Sequence, residues 1–291
     1  MGLQISKIFF SIVIPLYNKE RYIKKTLKSI LSQSFTNFEI VVVNDGSTDG
    51  SVVEVLSCDD DRIVLVNQKN GGVSQARNKG IGCAKGQWII FFDADDVLES
   101  GTLEEFYRLT ENFRSATIVS GNFVTVYPNG KKVYACHNLS GTLLDNPSKL
   151  LWQGTWNMRL GSFAVKRELL SDIFFPEYMC KGEDVFFVNK LLAKSMIAYS
   201  PIITMSYERV NSSLSNKVFS LQQSLSWNLS FDCDNLYLNF VNARIVVRGV
   251  LIYLVKMKSI SKAVKLFFKQ RKAFLIYFYS WIFKVLKLCR T

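Results

Sequence analysis

Gln87-Trp88-Ile89-Ile90-Phe91-Phe92-Asp93-Ala94-Asp95-Asp96 is the stretch that decides the fold. Five large apolar residues run straight into three carboxylates. A continuous apolar run bounded by polar residues reads as a strand buried on both faces of a sheet. Asp93, Ala94 and Asp95 then stand where that strand leaves the sheet. In open α/β sheets, ligands bind beyond the carboxyl ends of the strands. Acids crowded there repel one another unless a cation is near, and their hard oxygens suit Mg2+ or Mn2+. Such a metal usually holds a substrate phosphate as well, so the stretch points to an enzyme acting on a nucleotide.

Upstream the same grammar repeats. Phe38-Glu39-Ile40-Val41-Val42-Val43 is a second apolar strand, and it runs into the turn-rich loop Asn44-Asp45-Gly46-Ser47-Thr48-Asp49-Gly50. A first strand spans Phe9 to Ile14 and is expected to end at Pro15. Helix signals fall at 20–34, with Ile23, Leu27, Ile30 and Leu31 on one face, and near 51–57 and 73–84. A strand at 62–66 completes an alternation that implies βαβ units and a mainly parallel sheet. Downstream, 100–113 reads as a helix, and 116–127 as a strand folded back at Pro128-Asn129-Gly130.

An apolar fraction of 48% supplies an ample core. Six cysteines are scattered singly, which suits reduced thiols better than a disulfide framework. The opening stretch does not read as a signal peptide, and Met1-Gly2 with Ser6 is a chance match to a myristoylation pattern. The net charge of +12 is not evenly spread. Residues 241–291 hold twelve Lys/Arg and no acid, so residues 1–240 are balanced. Two apolar runs there, Ile245–Val255 and Ala273–Phe283, are each short of the ~20 residues that span a bilayer. Aromatics among Lys and Arg suit helices lying in an anionic membrane interface. A basic cap packed on the domain is the plainer reading, and a nucleic-acid surface, which no motif supports, is set aside.

Five segments occur in order: Ser11-Ile12-Val13-Ile14-Pro15-Leu16-Tyr17-Asn18, the 41–49 strand and loop, Asn70-Gly71-Gly72 through Arg77-Asn78-Lys79-Gly80, Asp93-Ala94-Asp95-Asp96, and Gly182-Glu183-Asp184. Together they resemble the family-2 glycosyltransferases of GT-A fold, of the bacterial cell-surface polysaccharide type. The resemblance covers residues 8–215 and divides the chain into a catalytic domain at 1–215 and a helical, basic region at 216–291. It implies a metal-dependent, inverting, hexosyltransferase-type enzyme that moves a sugar from a nucleotide-diphosphate sugar, a UDP-sugar first of all, to a glycan hydroxyl.

By resemblance, Pro15, Tyr17, Asp45, Arg77, Asp93, Ala94, Asp95 and Arg209 line the nucleotide-sugar site. Asp45 accepts a hydrogen bond from the base, although an Asp in this position also caps turns. Arg77 lies beside the nucleotide, on a helix whose glycine-led N-terminus suits phosphate. Asp95 binds Mn2+ or Mg2+, and Asp93 binds the ribose or joins the metal shell. Asp96 either supports that shell or caps the following helix. Asp184 is the general base that takes the acceptor's proton. Glu183 is its neighbour and rival, and both acids would also be favoured at a helix start by the dipole alone. Arg209, in Tyr207-Glu208-Arg209, neutralises phosphate charge. Trp152 and Trp156 match the acceptor side, where rings stack on sugars, although Trp is more often core. His137 is a bystander.

The expected protein is thus peripheral on the cytoplasmic face of the membrane, held by 241–291, and extends a lipid-linked glycan for a surface polysaccharide. Two alternatives stand beside it. A sugar nucleotidyltransferase would need a glycine-rich loop after the first strand, and Pro15-Leu16-Tyr17-Asn18-Lys19-Glu20 is not one. A non-catalytic nucleotide-sugar scaffold would be expected to have lost acids that are present here.

Overall fold

The computed structural model describes residues 8–136, 139–208, 220–231 and 234–288. In chain order come β1 (Phe10–Leu16), α1 (Ile23–Leu31), β2 (Phe38–Asp45), α2 (Ser51–Leu56), β3 (Ile63–Gln68), α3 (Val73–Cys83) and β4 (Trp88–Phe91). Then follow β5 (Val97–Leu98), α4 (Thr102–Asn112), the hairpin β6 (Ile118–Val126) and β7 (Lys132–Tyr134), β8 (Thr142–Leu144), α5 (Pro147–Gln153), β9 (Phe163–Lys166), α6 (Glu183–Leu192) and β10 (Ile197–Glu208). Four helices close the chain: α7 (Leu225–Asn228), α8 (Leu236–Leu251), α9 (Ile260–Lys269) and α10 (Arg271–Leu288).

The ten described strands form one sheet, in the order β3-β2-β1-β4-β9-β6-β10-β5, with β7 paired to β6 and β8 to β10 off that path. The half carrying the sequence motifs, β3 to β4, is wholly parallel. Beyond it the sheet is mixed, with β9 antiparallel to both its neighbours. Side chains alternate across each strand, so a strand buried on both faces must be apolar throughout. In β4 and the residue after it, Trp88, Ile90 and Phe92 join a core with Leu27 of α1 and Phe106 of α4. Ile89 and Phe91 join a second core with Ala76 of α3 and Phe187 of α6.

Pro15 does not end β1, which continues to Leu16. Backbone groups of odd-numbered residues in β1 face β4, as Val13 shows by accepting from the Phe92 N–H. Pairing with β4 stops at Val13, so the N–H that Pro15 lacks has no ladder bond to lose. The strand order turns at β1: β2 and β3 lie to one side and β4 to the other. The carboxyl ends of β1 and β4 are therefore the switch point where a ligand crevice is expected.

The C-terminal helices are longer than the apolar runs suggest. Leu236–Val255 forms a helical stretch of 20 residues with mean hydropathy 1.6, long and apolar enough by those measures to cross a membrane, and 44% of its 18-residue apolar window is buried in the protein. This corrects the expectation that no run reaches that length: Asn242, Arg244 and Arg248 punctuate the sequence without breaking the helix. α8 packs on α5, with Phe240 and Tyr237 against Trp152 at ring distances of 5.4 and 5.5 Å. Asn189 of α6 donates to Asn242 at 2.7 Å. The packed-cap reading thus holds for α8. α9 and α10 instead leave Phe268, Leu275, Tyr279 and Trp281 more than half exposed.

Candidate functional site

The turn after β4 is held from outside the turn itself. The Thr26 hydroxyl of α1 lies 2.9 Å from the carbonyl oxygens of both Ala94 and Asp96. Ser29 accepts from the Leu98 N–H, and Gln33 donates to the Glu99 carbonyl. With Ala94 buried beneath the turn, Asp95 is left partly open beyond the carboxyl end of β4, with its side chain 35% exposed. Lys19 reaches it, with Nζ 2.5 Å from Asp95 Oδ2.

Lys19 sits on the loop after β1, and that loop is stitched to the loop after β2. Ser51 accepts from the Lys19 N–H at 2.7 Å, and Asn18 accepts from the Thr48 N–H at 2.8 Å. The left-handed backbone of Asn18, φ 51°, makes this sharp entry, and Asn tolerates it better than most residues. Pro15 and Tyr17 lie along the same edge, and Tyr17 is half exposed at its rim.

Arg77 is almost wholly buried and joins two elements. Its guanidinium donates to Asp93 at 2.7 Å and to Glu183 of α6 at 3.4 Å, and it lies over the Phe175 ring at 5.1 Å. Burial alone would raise the Asp93 carboxyl, but the charge and hydrogen bond of Arg77 outweigh it and hold that carboxyl below its ordinary range. Asp96 goes the other way: burial, then the charges of Asp93 and Asp95, push its carboxyl well up. Its proton is therefore held more tightly than that of an ordinary carboxyl. Asp96 caps no helix, because β5 follows it and Gly101 stands at the N-cap of α4. Arg159 is a third cation whose field lowers both Asp93 and Asp96, and its guanidinium stacks 3.5 Å from the Tyr207 ring centroid.

Asp45 is buried at the end of β2 and organises the glycine loop. Its Oδ1 accepts from the Gly71 N–H and from Gln68 Nε2, both at 2.8 Å, and its Oδ2 accepts from the Gly72 N–H at 2.9 Å. A carboxylate has about four lone-pair sites. Three are engaged here, so the turn-organising role is observed.

α6 starts from Gly182, at φ 78°, where a side chain would also strike Leu225. This puts Glu183 and Asp184 in the first turn but in different settings. Glu183 turns inward to Arg77, and burial followed by the charge of Asp184 raises its carboxyl. Asp184 stays half-buried and accepts from the Val185 N–H at 2.8 Å.

Several expectations change. Trp152 and Trp156 are 3% and 1% exposed, so neither offers a ring to a sugar; they pack the cores beneath α8 and α6. Arg209 and His137 lie outside the described residues. Lys19 and Arg159 were missed, and only the acid-rich turn itself, which demands cations from elsewhere, could have prompted a search for them. For a divalent metal, no group of three or more His, Cys, Asp or Glu side chains stands at ligand spacing among the described residues. The donor set is then Asp95, with Asp93 beside it. That fits Mg2+ or Mn2+ bound by one or two carboxylates with the remaining positions taken by substrate phosphate and water.

The family model of glycosyl transferase family 2 matches residues 11–183. The chain is similar to glycosyltransferase GlyG of Streptococcus pneumoniae serotype 4, 37% identical over 116 residues, which are 39% of this chain and 38% of that one. It is 30% identical over 198 residues to the minor teichoic acid biosynthesis protein GgaB of Bacillus subtilis, covering 64% of this chain and 21% of that one. The chain thus spans well under half the length of these relatives. Among solved structures, residues 1–349 of Staphylococcus aureus TarS in complex with UDP-GlcNAc superpose with a TM-score of 0.73 at 21% identity, over 89% of this chain and 79% of that one. That likeness establishes the GT-A arrangement of sheet and helices.

Proposed function

The chain belongs to glycosyl transferase family 2, and from that premise we propose that it transfers a sugar from a UDP-sugar to a glycan hydroxyl with inversion at the anomeric carbon. The observation that carries this reading is the pairing at the switch point. An acid turn at the carboxyl end of β4 is paired to Lys19 and Arg77 and lies in the field of Arg159, and the half-buried Asp184 stands at the start of α6, which Arg77 joins to that turn through Glu183. UDP-GlcNAc bound to TarS supports a uridine donor.

The acceptor hydroxyl attacks the anomeric carbon as the bond to the diphosphate breaks. Its proton passes to Asp184, on the face opposite the leaving group. Lys19 and Arg159 offset the charge that develops on the departing diphosphate. Asp95, with Asp93, would hold a Mn2+ or Mg2+, which would act as a Lewis acid on the diphosphate. Calorimetric titration of UDP, GDP and CMP, with and without Mn2+, tests the donor side. UDP is expected to bind best and to need the metal, and Asp95→Ala should weaken it by about tenfold or more, a loss of ~1.4 kcal/mol. Binding that ignores both the metal and the substitution would sink the assignment of Asp95. Release of UDP rather than pyrophosphate on turnover separates transfer of a sugar from transfer of a nucleotide.

The proposed acceptor is a lipid-linked glycan of a surface polysaccharide, reached from the cytoplasmic face. Support comes from α9 and α10, where Phe268 and Trp281 are 66% and 57% exposed beside exposed Lys265, Lys269 and Arg271. Apolar rings among cations suit an anionic interface. α8 packs on Trp152 of α5 and Asn189 of α6, and the proposed attachment is peripheral, through α9 and α10. Removing 241–291 would cut α8 after Phe240, strip Val241 and Arg244 from Trp152, and confuse the test. Phe268→Glu with Trp281→Glu is cleaner, and should cut sedimentation with phosphatidylglycerol vesicles by about tenfold. Unchanged sedimentation would refute attachment through this face.

A further inference from the structure

Between α3 and α6 the surface opens into a cleft of about 490 Å3, walled by the segment from Asp172 to Tyr178. That wall is anchored. The Asn78 side chain donates to the Phe175 carbonyl and accepts from the Phe175 N–H, both at 2.9 Å. The Phe175 ring turns inward, stacked on Phe187 at 3.8 Å and edge-on to Phe91 at 4.9 Å. Its neighbours turn outward: Phe174 is 49% exposed and Tyr178 is 58% exposed. Two large rings are therefore held in water by a segment whose backbone is pinned.

The polar groups among them are few. Glu177 accepts from Asn78 at 3.0 Å, Asp172 is paired with Lys194 at 2.7 Å, and Lys190 covers the Phe186 ring at 5.2 Å. With two acids and one Lys in the lining, the cleft carries no excess of positive charge, unlike a site built for phosphate. Flat apolar faces beside a carboxylate match the C–H face and the hydroxyls of an uncharged sugar ring.

The position matters as much as the chemistry. The wall runs on within six residues into Asp184, Phe186 lies one turn inside the same helix, and Asn78 directly follows Arg77. We infer that this cleft is a carbohydrate subsite that holds a neutral sugar unit of the acceptor, beside the unit that receives the new linkage. The inference rests on the glycosyl-transfer reading above, and it moves acceptor stacking from the buried Trp152 and Trp156 to Phe174 and Tyr178.

The test uses the full chain and three neutral disaccharides, cellobiose, chitobiose and N-acetyllactosamine. Saturation transfer from aromatic protons is read by NMR, and UDP is titrated on the same samples. At least one disaccharide should receive saturation. Phe174→Ala with Tyr178→Ala should weaken its binding by about tenfold and leave UDP binding within about twofold. If the alanine pair melts early, Phe174→Leu with Tyr178→Leu keeps apolar bulk, removes both rings and should show the same loss. No saturation of any of the three sugars, equal saturation in the ring-less variants, or displacement by glycerol 3-phosphate would each overturn the subsite. Failure of UDP to bind the native chain would count against the donor reading instead, and the disaccharide signal would still decide the cleft.

Discussion

Asp184→Asn is expected to lower sugar transfer by about 10²–10⁴-fold, the usual worth of a positioned general base, with UDP affinity little changed. Asn keeps the shape of Asp and cannot take a proton. The substitution is structurally mild, because Asp184 is half-buried and its one described side-chain bond is to the next N–H. Its further structural role is to place a negative charge at a helix N-terminus, worth about 0.3–1 kcal/mol. Glu183→Gln is the informative partner. Glu183 is tied to Arg77, so its loss acts through Arg77 on Asp93 and should appear in donor affinity more than in turnover. Steady-state kinetics with the donor and acceptor varied separately distinguish the two. A folded Glu183→Gln that loses more turnover than Asp184→Asn would move the base to Glu183.

The parts of this molecule visible in the sequence are those fixed by neighbours along the chain. The run Trp88 to Phe92 announces a strand covered on both faces, and Pro128-Asn129-Gly130 announces the β6–β7 hairpin. The invisible parts depend on groups far apart in sequence. Lys19 meets Asp95 across 76 residues, and Arg77 meets Glu183 across 106. No period or local spacing reports such contacts. Asp45 shows a subtler limit: its place at a strand end was legible, but its occupation by the Gly71 and Gly72 N–H groups depends on the path of a loop that returns from β3. Trp152 and Trp156 kept two roles open in the sequence, because a ring that can stack on a sugar and a ring that fills a core are the same ring. What separates them is what covers it, and for Trp152 the cover is α8, more than eighty residues later.

Arg77→Met is expected to destabilise the protein by about 3–5 kcal/mol, the cost of breaking a buried ion pair by deleting one partner. The Arg77 side chain is 5% exposed, and its fork serves Asp93 and Glu183 together. Met fills much of the same volume and still rests on Phe175, so packing loss is small and the charge dominates. Two carboxylates are then left near one another, with Asp95 and Asp184 adding to the repulsion, and with Lys19 and Arg159 as the nearest relief. Arg77→Lys should fall between, since a single ammonium cannot meet both acids in one planar geometry. Urea denaturation measures these steps, and a second set of variants assigns the cause. If uncompensated charge is what costs stability, adding Asp93→Asn and Glu183→Gln to Arg77→Met should recover most of the loss, because neutral amides need no counter-charge. If the triple variant is no more stable than Arg77→Met, the cost lies in the shape of the guanidinium among its neighbours, and Arg77 is a packing residue that happens to be charged. Recovered stability together with transfer activity that stays low would give Arg77 both roles: neutralising the acid turn, and tying it to the helix that starts with Asp184.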